Sequence, residues 1–192
     1  MHKIIISFIV KIIGWNVTGE VPENVKKYIV IMAPHTSNWD FFLGWLGFGS
    51  LGLKSKYLIK KEAFFFPLGP IVRWIGGIPV DRGRNNNVVL EVGELFKQNE
   101  NLILTLTPEG TRSLNRNWKR GFYYMALHAK VPVMLGFLDY KEKKGGFGPL
   151  VYITGDFEKD MAVIESFYKT KTARHPENFN LSPQNLKQPV TE

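Results

Sequence analysis

A histidine and an aspartate follow a short apolar run in a spacing that suits acid–base chemistry. Residues 28–33 are apolar, and His35 and Asp40 come directly after them. Ser37 and Asp40 have the spacing of a capping box, which predicts that a helix begins here with Asp40 in its first turn, near the His35 ring. A carboxylate on one imidazole nitrogen fixes the tautomer, so the other nitrogen can accept a proton. The pair predicts a general base for a hydroxyl, unless Asp40 only caps the helix and His35 is a turn residue.

A second polar loop, residues 107–113, follows the apolar run 102–106. Gly110 permits a tight turn, and Arg112 can bind a phosphate or carboxylate with two parallel hydrogen bonds. Thr111 and Ser113 supply hydroxyl donors, and Glu109 can hold Arg112 or a substrate hydroxyl in place. This pattern predicts an anion-binding loop, although a plain turn with a local ion pair has the same residues.

A third loop ends on two arginines. Gly76 and Gly77 precede a brief apolar strand, and Arg82 and Arg84 lie just beyond its end. Arg82 is either a contact for an anionic substrate or a solvated side chain paired with Asp81.

Short apolar runs alternate with helical patterns between these loops. This alternation predicts an α/β domain with a mainly parallel sheet flanked by helices. Such sheets place their sites in loops at the carboxyl ends of the strands, where all three loops fall. The lysine- and glycine-rich stretch 141–148 is typical of an exposed turn. The predicted strands are 28–33, 57–59, 78–80, 102–106, 133–138 and 150–154, and the predicted helices are 38–48, 68–75, 85–98, 120–130 and 161–168.

The amino-terminal segment is apolar except for one stripe. Lys3, Ser7 and Lys11 recur every fourth residue, which predicts an amphipathic helix within residues 1–15. That helix lies in a membrane interface or packs on the domain, and its isoleucines also permit a strand. No segment reaches the roughly 20 apolar residues that cross a bilayer. We therefore expect a peripheral protein with an apolar segment 1–20, a catalytic domain 21–168 and a polar arm 169–192.

Composition limits the function classes further. The chain of 192 residues has the length of one domain, and its lack of cysteine excludes disulfide scaffolds, thiolate zinc sites and cysteine nucleophiles. Residues 51–150 hold 16 basic and 8 acidic side chains, which is the whole net charge of +8. This excess fits a phosphorylated substrate, an anionic membrane or simply a soluble basic surface. No nucleic-acid-binding motif accompanies it, so we expect no nucleic-acid partner.

The order and spacing of the three loops resemble those of the glycerophospholipid acyltransferase family, best known for 1-acylglycerol-3-phosphate acyltransferases. The resemblance covers about residues 28–140. It implies that His35 is the general base and Asp40 its orienting partner. It also implies that a phosphorylated acceptor is bound by a further set of residues: Arg82, Glu109, Gly110, Thr111 and Arg112.

The same resemblance implies a reaction and its partners. An acyl chain would move from acyl-CoA or acyl carrier protein to the hydroxyl of a lysophosphatidic-acid-like acceptor, with no metal and no further cofactor. The enzyme would act on the cytoplasmic side of a membrane. Four aromatic residues of the first predicted helix then either line an acyl channel or belong to an ordinary core: Phe41, Phe42, Trp45 and Phe48. The competing hypothesis is a non-catalytic protein whose loops bind anionic lipid headgroups.

Overall fold

The computed structural model describes residues 2–21, 24–81 and 85–181. The strands, in chain order, are β1 (Asn16–Thr18), β2 (Lys27–Met32), β3 (Ser55–Lys60), β4 (Gly77–Val80), β5 (Leu102–Leu106), β6 (Val133–Asp139) and β7 (Lys144–Val151). The helices are α1 (His2–Ile12), α2 (Asn38–Leu51), α3 (Leu68–Trp74), α4 (Asn85–Gln98), α5 (Gly121–Ala129) and α6 (Phe157–Tyr168). Short 3-10 turns lie at Lys61–Phe64 and Pro176–Asn178.

The seven strands form one sheet in the order β1-β7-β6-β2-β5-β3-β4. β2 lies at the centre, where Ile29 pairs with Val133 of β6 and with Leu104 of β5, both in parallel. Within this sheet only β6 and β7 run antiparallel to each other. The predicted α/β class with a mainly parallel sheet is therefore confirmed.

Alternation along β2 builds a core on each side of the sheet. Ile29 and Ile31 point into the larger core, which α4, α5 and α6 cover. Tyr28, Val30 and Met32 point to the opposite side, where α2 packs. Because β2 is buried on both faces, it has no polar alternation, as expected for a central parallel strand.

One predicted turn is a strand. Residues 144–148 belong to β7, so the prediction of an exposed turn over 141–148 is wrong for its second half, and the predicted strand 150–154 ends at Val151. The glycines of β7 allow a neighbouring strand to approach closely, because a Cβ on Gly146 would lie only 1.8 Å from the Thr18 carbonyl oxygen of β1. The glycines that are typical of a turn therefore allow close packing between strands here.

α1 packs along α2 and leaves most of its apolar side chains exposed. The Ser7 hydroxyl donates to the Ser50 carbonyl at 3.3 Å, and Val10 is buried. Gly49 makes room for Ile6, since a Cβ there would lie 2.8 Å from the Ile6 Cδ1 atom. Within the polar stripe of α1, Ser7 therefore faces α2. The exposed apolar residues of this helix and its end are Ile4, Ile5, Phe8, Ile9, Ile12 and Ile13.

Across the described ranges, no helix combines the length and the apolar character that a bilayer crossing needs.

Candidate active site

α2 begins at the carboxyl end of the central strand with the predicted capping box. Ser37 is the N-cap residue, and its hydroxyl accepts from the Trp39 amide at 3.2 Å. In return, Asp40 Oδ2 accepts from the Ser37 amide at 2.7 Å. These reciprocal bonds satisfy amides that a helix start leaves unpaired, and they fix Asp40 in the first turn.

Asp40 lies beside His35, as the sequence predicts, with almost no exposure. Asp40 Oδ2 also accepts from the Thr36 amide at 2.7 Å and lies 3.8 Å from His35 Nδ1. This separation is longer than a hydrogen bond, although such contacts often shorten when substrate binds. The other oxygen, Oδ1, accepts from the Tyr140 hydroxyl at 2.5 Å. The carboxylate is therefore held by several donors and presented to the imidazole.

The surroundings of His35 keep its ring neutral. Burial lowers the pKa of His35, the Asp40 carboxylate opposes that effect, and the nearby Arg112 cation lowers the pKa further. The side chain is 14% exposed, so the ring is enclosed but still accessible. A neutral, accessible imidazole next to a fixed carboxylate can accept a proton.

Glu109 lies beneath His35 rather than at the surface. Its Oε1 atom accepts from the His35 amide at 2.9 Å, and the residue is 2% exposed. Burial raises the pKa of Glu109 to about 8, the hydrogen bond from His35 opposes this rise, and the Asp40 charge adds to it. Oε2 is buried and has no hydrogen-bond partner among the residues that the structure describes. Glu109 thus holds the backbone from which the His35 ring projects.

The rest of the second loop turns back sharply toward solvent. Gly110 has a φ of 67°, which confirms the predicted tight turn, and a Cβ there would lie 2.7 Å from Lys119 Cε. The Asn115 amide group fixes the loop by donating to the Glu109 carbonyl at 2.7 Å. Thr111 and Arg112 are exposed. The loop therefore presents cations and a hydroxyl near His35.

Arg82, predicted to contact the acceptor, lies outside the described residues. Its role stays a prediction.

The sequence did not predict several residues from later in the chain that cover this edge of the sheet. Tyr140 follows β6 directly, and its amide donates to the Thr172 carbonyl at 2.9 Å. The Arg174 guanidinium contacts the Trp39 and Tyr140 rings, and the His175 amide donates to Thr36 Oγ1 at 3.2 Å. Tyr140 had one signal available, because it is a polar residue at the end of a strand adjacent to β2.

Comparison with known proteins identifies the family of the chain and a solved structure that shares its fold. A family model described as Acyltransferase matches residues 15–134, which is more than half of the chain and includes His35, Asp40 and Glu109. The crystal structure of the 1-acyl-sn-glycerophosphate (LPA) acyltransferase PlsC from Thermotoga maritima shares the fold, with a TM-score of 0.55 and 17% identity over 90% of this chain and 81% of that one. No curated protein sequence matches. The chain therefore belongs to the acyltransferase family, as its resemblance to the glycerophospholipid acyltransferases predicts.

Proposed function

We propose that this protein moves a fatty acyl chain from an acyl-CoA or acyl carrier protein thioester to the hydroxyl of a lysophosphatidic-acid-like acceptor. The observation that carries the proposal is the enclosed but accessible imidazole of His35, which lies 3.8 Å from the fixed carboxylate of Asp40. A buried base of this kind suits proton removal from an alcohol.

The proposed reaction needs no metal and no acyl-enzyme intermediate. His35 removes the proton from the acceptor hydroxyl as its oxygen attacks the thioester carbonyl. The tetrahedral intermediate then breaks its carbon–sulfur bond, and the imidazolium returns the proton to the leaving thiolate. Asp40 stabilises the imidazolium between the two transfers, since the opposite charge favours the protonated ring.

Exposed cations beside the site favour a phosphorylated acceptor. Arg112 is close enough to His35 to lower its pKa, and the Lys119 side chain packs on Gly110 of the same loop. An arginine can hold a phosphate with two parallel hydrogen bonds. We assign the acceptor phosphate to Arg112 and to the neighbouring Glu109–Thr111 turn, with Arg82 as a further contact inferred from the sequence resemblance. The phosphorylated acceptor is also the substrate class printed for the Thermotoga protein.

An apolar cavity gives the acyl chain a place to bind. The cavity lies between α1, α2 and the strands β1, β7 and β6 of the sheet. Met32 and Gly44 line it. Met32 lies three residues before His35 in the chain, and Gly44 lies one helical turn after Asp40 on α2, so the cavity lies near the candidate site. Of the four aromatic residues considered for an acyl channel, Phe48 lines this cavity. Phe41, Phe42 and Trp45 instead contact other aromatic rings, those of Tyr57, Trp39 and Trp74.

The exposed face of α1 favours peripheral binding to a membrane. Phe8 and Ile12 are 64% and 68% exposed on a helix whose buried side is occupied by α2. α3 adds a second apolar surface, where Phe66 and Trp74 are 88% and 76% exposed, and Trp74 contacts Trp45 of α2. Contiguous apolar surface of this kind on a helix is typical of an interfacial anchor. A membrane-bound enzyme would meet its lipid acceptor at that surface.

A panel of acceptors tests the proposed function. Purified protein is incubated with an acyl-CoA or acyl carrier protein thioester and with lysophosphatidic acid, glycerol phosphate or a neutral monoacylglycerol, and free thiol and lipid product are measured. We expect thiol release that depends on lysophosphatidic acid and yields phosphatidic acid. Binding to lipid vesicles without thiol release from any donor would instead support the non-catalytic alternative.

The phosphate assignment has its own variant. We expect Arg112→Gln to raise KM for lysophosphatidic acid about tenfold or more, because it removes a charged hydrogen bond to phosphate. Activity toward a neutral acceptor should change little. Equal losses with both acceptors would refute the assignment of Arg112 to the phosphate.

A further inference from the structure

The Asp40 carboxylate has a partner on each side. Oδ2 faces His35 Nδ1 and the amides of Thr36 and Ser37, whereas Oδ1 accepts from the Tyr140 hydroxyl. The Tyr140 bond joins residues 100 positions apart and brings the end of β6 to the start of α2.

Tyr140 is itself held from two directions. Its ring contacts Trp15 edge to face, with a centroid distance of 5.0 Å, and its amide donates to Thr172. The Arg174 guanidinium lies over the Tyr140 ring, 6.0 Å from its centroid. A cation beside a hydroxyl makes it a better donor, so Arg174 strengthens the bond from Tyr140 to Asp40.

We propose that Tyr140 is a positioning residue for catalysis, which holds Asp40 through Oδ1 and so limits how strongly Asp40 stabilises the protonated His35 ring. A hydrogen bond to a carboxylate withdraws part of its negative charge and restricts its rotation. Without the bond, Asp40 stays in place through the Thr36 and Ser37 amides, but its carboxylate keeps more negative charge and attracts the imidazolium more strongly. The inference rests on the proposed function only in naming His35 as the base.

The charged and titratable groups around His35 come from four parts of the chain. Asp40 belongs to α2, and Glu109 and Arg112 to the loop after β5. Beyond Asp40 lie Tyr140 and Arg174, and the segment after α6 also brings His175 to Thr36. Replacing Tyr140 by phenylalanine leaves all the other groups in place, so its effect on His35 reports the hydroxyl alone.

The test measures the pKa of His35 by NMR in the full chain labelled at histidine, with the resonance assigned by its loss in His35→Gln. In Tyr140→Phe we expect that pKa to rise by about 0.5–1 unit, because the Asp40 charge is no longer shared. Tyr152→Phe is the control, since Tyr152 is 66% exposed, and it should leave the pKa of His35 unchanged. An unchanged or lower pKa in folded Tyr140→Phe overturns the inference.

The ring contacts with Trp15 and Arg174 survive in Tyr140→Phe, which favours a folded variant. If it fails to fold, Arg174→Gln keeps the hydroxyl and removes the group that strengthens it as a donor. We expect a smaller rise in the pKa of His35 there, and no rise would count against Tyr140.

Kinetics separates this inference from the proposed function. With Tyr140→Phe, the acid limb of the kcat profile should move to higher pH while KM for the acceptor stays within about twofold. If the wild-type protein transfers no acyl group, the proposed function fails, but the NMR comparison still decides whether Tyr140 controls His35. If acyl transfer requires His35 and the acid limb does not move in Tyr140→Phe, only the role of Tyr140 is refuted.

Discussion

The buried carboxyl group beneath the catalytic histidine should make the protein less stable as the pH rises. The pKa of Glu109 is raised from 4.5 to about 8, chiefly by burial. Between these values the folded protein keeps a proton that the unfolded chain has lost. Its free energy of unfolding therefore falls with increasing pH, by up to about 5 kcal/mol once both states are ionised. From pH 6 to pH 9 the corresponding loss is about 3 kcal/mol.

The variant Glu109→Gln removes this loss. Its side-chain oxygen can still accept from the His35 amide, as Oε1 of Glu109 does, and its amide is neutral at every pH. The two proteins should have similar stability below about pH 4, where Glu109 is protonated in both the folded and the unfolded chain. We expect the variant to be the more stable of the two by about 2 kcal/mol at pH 6 and by about 5 kcal/mol at pH 9.

Urea unfolding followed by tryptophan fluorescence at pH 6, 7, 8 and 9 measures both proteins. Glu94→Gln is a matched control, because the Glu94 side chain is 57% exposed and pairs with Lys97 at the surface. It should follow the wild type at each pH. If Glu109→Gln loses as much stability as the wild type between pH 6 and pH 9, Glu109 is not a buried, protonated carboxyl group and its assigned environment is wrong.

Three further variants test the acyl cavity, the apolar face and the loop turn. Gly47 lines the cavity, and a Cβ there meets no atom within 4 Å, so Gly47→Leu should fit and shift donor preference toward shorter acyl chains in a competition between two acyl-CoAs. The double variant Phe8→Glu, Ile12→Glu should weaken binding to anionic phospholipid vesicles by at least about tenfold in a sedimentation assay. Val163→Glu, at a residue 50% exposed on the opposite side of the sheet, should leave vesicle binding unchanged. Gly110→Ala should lower the free energy of unfolding by about 1 kcal/mol or more in urea, because alanine is strained at a φ of 67°.

Local patterns predicted most of the fold. The helix Asn85–Gln98 and the strand Leu102–Leu106 occur with the predicted bounds, since strong apolar periodicity defines both. The capping box also placed Asp40 correctly, because it is a contact between residues three positions apart. Residues 144–148 have the composition of a turn but belong to β7, because pairing with β1 and β6 outweighs the low strand propensity of the glycines.

The candidate site was predictable only where strand ends identify it. The sequence singles out His35, Asp40 and Glu109 at strand ends, and the structure brings these three together. The direction of the Glu109 side chain is not predictable in this way, because a carboxylate can face a cation or a backbone amide with the same sequence. Tyr140 and Arg174 reach the site from segments 100 or more residues away from Asp40 in the chain. Contacts across such separations depend on how the sheet is assembled, which no local pattern contains.

The central claim is that His35 is the base for acyl transfer, and one comparison tests it most directly. Thiol release from an acyl-CoA in the presence of lysophosphatidic acid is measured for wild type and His35→Ala, with urea unfolding to verify that the variant is folded. We predict that folded His35→Ala is slower by about 10²- to 10⁴-fold, as expected for loss of a general base. A folded variant that releases thiol and forms phosphatidic acid as fast as the wild type would contradict the claim.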